Sequence, residues 1–173
     1  ADAGNAALKL SRSPSGLSGA LMAQDFNLRA LDDILPELGL ESGLLTADLE
    51  VAAIDQDPVV TGQLTITGLF ASIPSALTRV DDGELTLSAT GAGFTVEGDA
   101  AFGGGTLSLE GVCCDEDTLT AQLIGTRTRV ELQEGLNAVV SSDIDLTVGM
   151  ERVKVDGDLV VHSGTLAPVI PDE

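Results

Sequence analysis

A chain of 173 residues is one domain or two small ones, long enough to bury a sizeable core. Its apolar content of 43% includes no Trp or Tyr and only four Phe, so packing is aliphatic, without the aromatic platforms that hold single-stranded nucleic acid or flat ligands. Eight Lys+Arg against 28 Asp+Glu leave a net charge of -20, which repels polyanions and argues against nucleic acid as a partner.

In chain order, Ala6, Leu8 and Leu10 alternate weakly before a turn at residues 11–16. From Leu17 to Leu28 apolar residues fall on both faces, with Leu17, Leu21 and Ala23 on one and Met22, Phe26 and Leu28 on the other. That pattern predicts a strand followed by a change of structure. Leu28, Leu31, Ile34 and Leu35 recur at helical spacing, and Pro36 limits this segment, near residues 28–37, to about two turns.

From Gly43 onward the chain is a series of short strands. Leu45, Ala47, Leu49 and Val51 share a face, and a turn at Asp55–Pro58 leads to Leu64 and Ile66. A loop around Pro74 precedes Leu85, Leu87 and Ala89, then Phe94 and Val96, then Ala100 and Phe102. Gly103–Gly105 breaks the run before Leu107 and Leu109. Leu119, Ala121 and Leu123 form the next strand, and 126–133 another, with Val130 and Leu132 opposed by Arg127, Arg129 and Glu131. The clearest alternation is in Val139–Pro171, where Ile144, Leu146, Val148, Val153, Val155, Leu159 and Val161 share one face and Asp143, Asp145, Arg152, Lys154, Asp156 and Asp158 the other. The count is about eleven strands of five to nine residues, an all-β and mostly antiparallel chain because no connection is long enough for a crossover helix. Gly98, Gly111, Gly125 and Gly157 fall where a sheet bends or bulges.

The residues that carry covalent chemistry are sparse. His162 is the single histidine and lies on the polar side of its strand, where it reads as a solvated side chain rather than part of a nucleophilic triad. Zinc would need a Cys/His cluster that the sequence does not contain. The acidic groups 115–117 and 143–145 lack calcium-loop spacing, and the triple glycine does not open a helix. The expectation is a non-enzyme without metal or cofactor. Cys113 and Cys114 are adjacent, and strain in a bond between neighbours argues against a stabilising disulfide. Low cysteine use fits a bacterial cytosol or periplasm. No apolar run reaches the roughly 20 residues of a membrane-spanning helix. The start lacks a signal-peptide pattern, and both ends lie inside patterned sequence, so the chain is expected to be a fragment of something longer.

No helix is long enough to cover the apolar face of so many strands. That face can meet itself in a closed sandwich or barrel, the default on composition and suited to an adhesive or structural domain, or stay open as a groove.

Four stretches, in order, resemble the C-terminal conserved domain of the TamB family, the translocation and assembly module proteins related to AsmA-like lipid-transfer proteins. They are LRALDDILPEL with SGLLTADLEVAAIDQDPVVTGQLTITG, ASIPSALTRVDDGELTLSA, GGGTLSLEG, and SSDIDLTV with VKVDGDLVVHSGTLAPVIP, spanning residues 15–171. The family has a Leu-rich turn, a "PEL" and a "P-x-x-x-G-x-L" strand, then an "SPDL" strand and a terminal "G-x-L-x-V-P-x-A-x-I-x-P". This chain departs from it at Ser142 in place of a proline, at His162–Ser163, and in AAIDQDP before the second strand.

The resemblance implies one long, strongly curved sheet, folded like a taco around a hydrophobic interior open along one side. It also implies a periplasmic location in a protein anchored in the inner membrane, the outer-membrane barrel protein TamA as partner, and a role in outer-membrane assembly and phospholipid movement between the membranes. The interior expected to shelter acyl chains is Leu45, Leu49, Leu64, Ile66, Leu85, Leu87, Phe94, Val96, Leu107, Leu109, Leu119, Leu123, Ile144, Leu146, Val153, Val155, Leu159 and Val161. The alternative is a scaffold or chaperone that pairs a sheet edge with a barrel strand. Open terminal edges are expected to self-associate or be capped by loops.

Overall fold

The computed structural model describes residues 4–13, 16–32, 39–54, 57–73, 78–115, 118–133, 136–149 and 152–166. Within them are ten strands: β1 (Asn5–Ser13), β2 (Gly16–Asn27), β3 (Leu40–Ile54), β4 (Asp57–Ile73), β5 (Thr78–Thr90), β6 (Phe94–Phe102), β7 (Gly105–Asp115), β8 (Thr118–Gln133), β9 (Leu136–Val148) and β10 (Val153–Leu166). They form a single sheet in chain order, every neighbour antiparallel, with β1 and β10 as its two edges. Short connections leave a strand no neighbour to pair with except the one before it, so the order follows from the loops.

The sheet is open, so the closed sandwich favoured by composition does not form. Strands β5 and β8, three spacings apart, approach within 8 Å between Cα atoms, whereas a flat sheet would hold them about 14 Å apart. The two strands are drawn together beyond the end of the β6–β7 hairpin, whose turn residue Gly103 accepts the Arg129 amide. The chain exposes 11889 Å², about half again the ~7,900 Å² expected of a compact monomer of 17.6 kDa.

Ten strands replace the expected eleven because residues 118–133 are one strand. A bulge follows Gly125, as its pattern suggests, and the ladder continues through it: Gly125 pairs with Ser142 and Thr128 with Val140, so three steps on β8 match two on β9. Arg127 takes the extra step with φ of +52°. The same device explains the apolar residues on both sides of β2. Ala23 pairs with Ala47 and Phe26 with Leu45, with Asp25 at φ +49° absorbing the extra residue, so Phe26 joins the face of Ala23. Gly68 (φ +58°) on β4 and Asp82 (φ +51°) on β5 serve two further bulges.

The predicted helical segment contracts to one 3-10 turn, Leu28–Leu31; residues 33–38, with Ile34, Leu35 and Pro36, lie outside the described residues. Asn27 caps the turn, its Oδ1 accepting the Arg29 amide at 3.0 Å, and Asp32 Oδ1 accepts the Leu40 amide at 3.0 Å. Leu28 drops onto the apolar face, 6% exposed, over Gly43; a side chain at Gly43 would place its Cβ 3.0 Å from Leu28 Cδ1. At the hairpin between β6 and β7, Phe102 pairs with Gly105 while Gly103 (φ +56°) and Gly104 (φ +79°) make the turn. Positive φ at both central positions is the type I′ geometry that matches strand twist, so the triple glycine is hairpin chemistry.

Glycine tolerance separates steric from conformational need. Gly62 has φ +116° and a Cβ there would land on the Asp48 carbonyl oxygen, whereas Gly68 has open space around it. Gly62→Ala is expected to cost more than about 3 kcal/mol and Gly68→Ala about 1 kcal/mol, read from urea-unfolding midpoints. Equal costs would mean that β3 and β4 are not held together at Asp48.

Candidate functional site: the apolar face of the open sheet

The ladders align apolar residues into rows that run across the strands. One row reads Phe26, Leu45, Ile66, Leu85, Gly98, Leu109, Leu123, Ile144, Gly157. A second reads Ala23, Ala47, Leu64, Leu87, Val96, Gly111, Ala121, Leu146, Val155, and a third Leu8, Leu21, Leu49, Gly62, Ala89, Phe94, Cys113, Leu119, Val148, Val153. No charged side chain stands in any of them.

The register brings every residue of the expected lining to this one face. Leu107 joins through Ala100 and Gly125, Leu159 through Ser142, and Val161 through Val140. None of these side chains is buried. Those from β3 to β9 are half-buried, and Val153, Val155, Leu159 and Val161 on β10 are 60–64% exposed.

Ala23, Ala47 and Ala89, placed on strand faces by the sequence pattern, are not part of the expected lining. With Leu40, Ala71 and Val140 they are the buried apolar residues of the strands, and no large side chain among the described residues is fully buried. Short side chains leave room for the larger residues beside them in the rows. Gly98 and Gly111 show the same crowding, since a Cβ at Gly98 would meet Leu85 Cδ1 at 2.9 Å and one at Gly111 would meet Val96 Cγ1 at 2.8 Å. The available signal was Gly and Ala inside strand patterns. Thr128, 3% exposed on this face, satisfies its hydroxyl by donating to the Val140 carbonyl at 3.2 Å.

Cys113 faces inward between Phe94 and Leu119 and is disulfide-bonded, correcting the expectation drawn from adjacent cysteines. Strain makes such a bond easier to reduce without forbidding it. His162 is exposed at a bulge of β10, and its Nε2 lies 2.8 Å from Ser141 Oγ, which also accepts the Arg127 amide at 3.0 Å. Their 21-residue separation gave no sequence signal for the pair. Among the described residues no group of three or more His, Cys, Asp or Glu could hold a metal, and no helix is long and apolar enough to cross a membrane.

The opposite face carries the acid. Glu97 stands directly across from Glu110, Glu84 from Asp99, Asp143 from Asp158 and Asp145 from Asp156. Like charges opposed across a ladder repel. Two of these carboxylates have local relief: Gln122 Nε2 donates to Asp143 at 2.8 Å, and Lys154 donates to Asp156 at 3.1 Å. The Lys154 hydrogen bond and charge, with the Gly157 amide, hold the Asp156 carboxyl below its ordinary value of 3.8. Because the unrelieved pairs are exposed, added salt screens them. Raising NaCl from about 0.02 to about 0.5 M is expected to move the urea midpoint upward; a midpoint that falls would mean attractive pairs dominate.

No protein-family model matches the chain, and no curated protein and no solved structure is significantly similar to it.

Proposed function

We propose that this chain is a groove segment that shelters acyl chains, of the kind the TamB resemblance implies. The observation that carries the reading is an apolar face, continuous over ten strands, with no second layer above it among the described residues. Each Leu or Val left in water forfeits roughly 1.5–3 kcal/mol relative to burial, so a face of this size calls for an apolar occupant. Across ten strands the face measures roughly 43 Å along its arc, against about 15 Å for one bilayer leaflet of hydrocarbon, so it can hold acyl chains in series. Aliphatic rows without directional polar groups hold such chains weakly and let them slide. The acidic outer face keeps the groove in water. No covalent step is assigned to it. The periplasmic location, the anchored parent protein and TamA as partner rest on the sequence resemblance alone.

A second reading, pairing of a sheet edge with a barrel strand or another copy, is favoured by the two open edges β1 and β10.

The purified chain is expected to carry phospholipid detectable by mass spectrometry and to take up a fluorescent acyl-chain probe. Leu87→Asp, in the middle row, is expected to reduce uptake about tenfold or more, and Val155→Asp at the edge less. Thr86→Asp, pointing to the outer face beside Leu87, serves as the control. A parent without lipid that ignores the probe, or a folded Leu87→Asp variant that binds like the parent, overturns the groove reading.

A further inference from the structure

Of the eight basic residues in this acidic chain, three converge on one place. Arg79 of β5 and Arg127 and Arg129 of β8 line a cavity of about 520 Å³ with Gly103, Gly104, Glu131, Asn137 and Val139. It lies on the face opposite the apolar rows, where the β6–β7 hairpin ends short of its flanking strands. The β8 bulge creates it. Without the extra residue at Arg127, both arginines of β8 would continue the parity of Gly125 and point into the apolar groove; with it, Thr128 turns inward and the arginines outward. Two hydrogen bonds from backbone amides fix this geometry: the Arg129 amide donates to the Gly103 carbonyl at 3.1 Å, and the Arg127 amide to the Ser141 side-chain Oγ at 3.0 Å.

The three guanidinium groups are not equivalent. Arg79 is held by Asp81 at 2.9 Å and Glu41 at 3.4 Å, with its guanidinium carbon 5.9 Å from the centre of the Phe70 ring. Arg127 and Arg129 make no ion pair among the described residues, although acids outnumber bases 28 to 8. Among the described residues Glu131 is the one carboxylate lining the cavity. Two unpaired guanidinium forks two residues apart, with the Asn137 amide as a further donor, suit a tetrahedral oxyanion better than a carboxylate, which one fork satisfies. Gly103 and Gly104 present no side chain, so the floor of the notch stays open to the ligand.

The geometry points to a phosphate-binding notch formed by Arg127 and Arg129, taking the phosphate group of a lipid headgroup or of a small soluble ester. The net charge of the chain does not oppose it, because long-range repulsion falls off within about 10 Å at ordinary salt and the local field is that of the arginines. Polyanions, which would span the acidic surroundings, do not fit. This notch stands independently of the groove reading, since it uses the other face.

The test uses the 173-residue chain labelled with ¹⁵N at low salt, following the Gly103 and Gly104 amides and the Arg Nε resonances. Inorganic phosphate and dihexanoyl phosphatidylglycerol, kept below its micelle concentration, are titrated separately, with acetate as the control. Saturable shifts at Gly103 and Gly104 that weaken at least tenfold in Arg127→Gln/Arg129→Gln, and also in Arg129→Gln alone, support the notch. Response to phosphate assigns a soluble source, and response to the lipid alone assigns a headgroup. Because inorganic phosphate has no acyl chain, its shifts at Gly103 and Gly104 read the notch alone, and lipid uptake by the Arg127→Gln/Arg129→Gln variant reads the groove alone, which separates failure here from failure of the groove. Absence of saturable shifts with both ligands, an equal response to acetate, or unaltered binding by the folded arginine variants overturns the proposal.

Discussion

Side chains on a strand alternate, so one extra residue in a ladder sends everything beyond it to the other face. This chain uses that rule repeatedly. At Asp25, Gly68, Asp82 and Arg127 a residue with positive φ absorbs one step, and the apolar pattern that had drifted out of phase returns to the same face. Phe26, Leu69, Val80 and Thr128 are inward-facing because of those four residues. The rows that cross the sheet depend on this phase control more than on any single apolar contact.

A continuous ladder also explains how the fold persists with so little buried volume. Neighbouring strands are satisfied by backbone hydrogen bonds along long pairings, up to the 13 matched positions of β3 with β4. Packing contributes through small residues: Ala23, Ala47, Ala89, Gly98 and Gly111 leave room for the Leu, Ile and Val beside them in the rows. Among the described residues the Leu28 turn is the one piece of helical structure on this face, and it covers an end rather than the length.

The two faces divide the chemistry. The apolar one offers area without direction, suited to ligands recognised by their hydrocarbon. The outer one carries opposed carboxylates on β5 to β7 and on β9 and β10 and, beside the β6–β7 turn, two arginines without an ion pair among the described residues. Segregation of this kind follows from phase control as well, because a missed bulge would place Arg127 and Arg129 among leucines, at a desolvation cost no neighbouring carboxylate relieves.

Alternation identified the strands, apart from the division of 118–133 into two, and the shared face of the residues proposed to line the groove, because a period of two is a local property wherever no bulge intervenes. The short turns excluded crossover helices for the same local reason. Four matters were settled only by the assembled sheet. Residues 118–133 form one strand because pairing with β9 carries the ladder past Gly125. The helical spacing after Leu28 yields, within the described residues, a single turn capped by Asn27 and seated on Gly43. The closed sandwich gave way to an open sheet, since composition measures how much apolar surface exists but not whether it meets itself. Finally, Arg79 and Arg129 are 50 positions apart in the chain, and only the shortened hairpin between β5 and β8 brings them to one cavity.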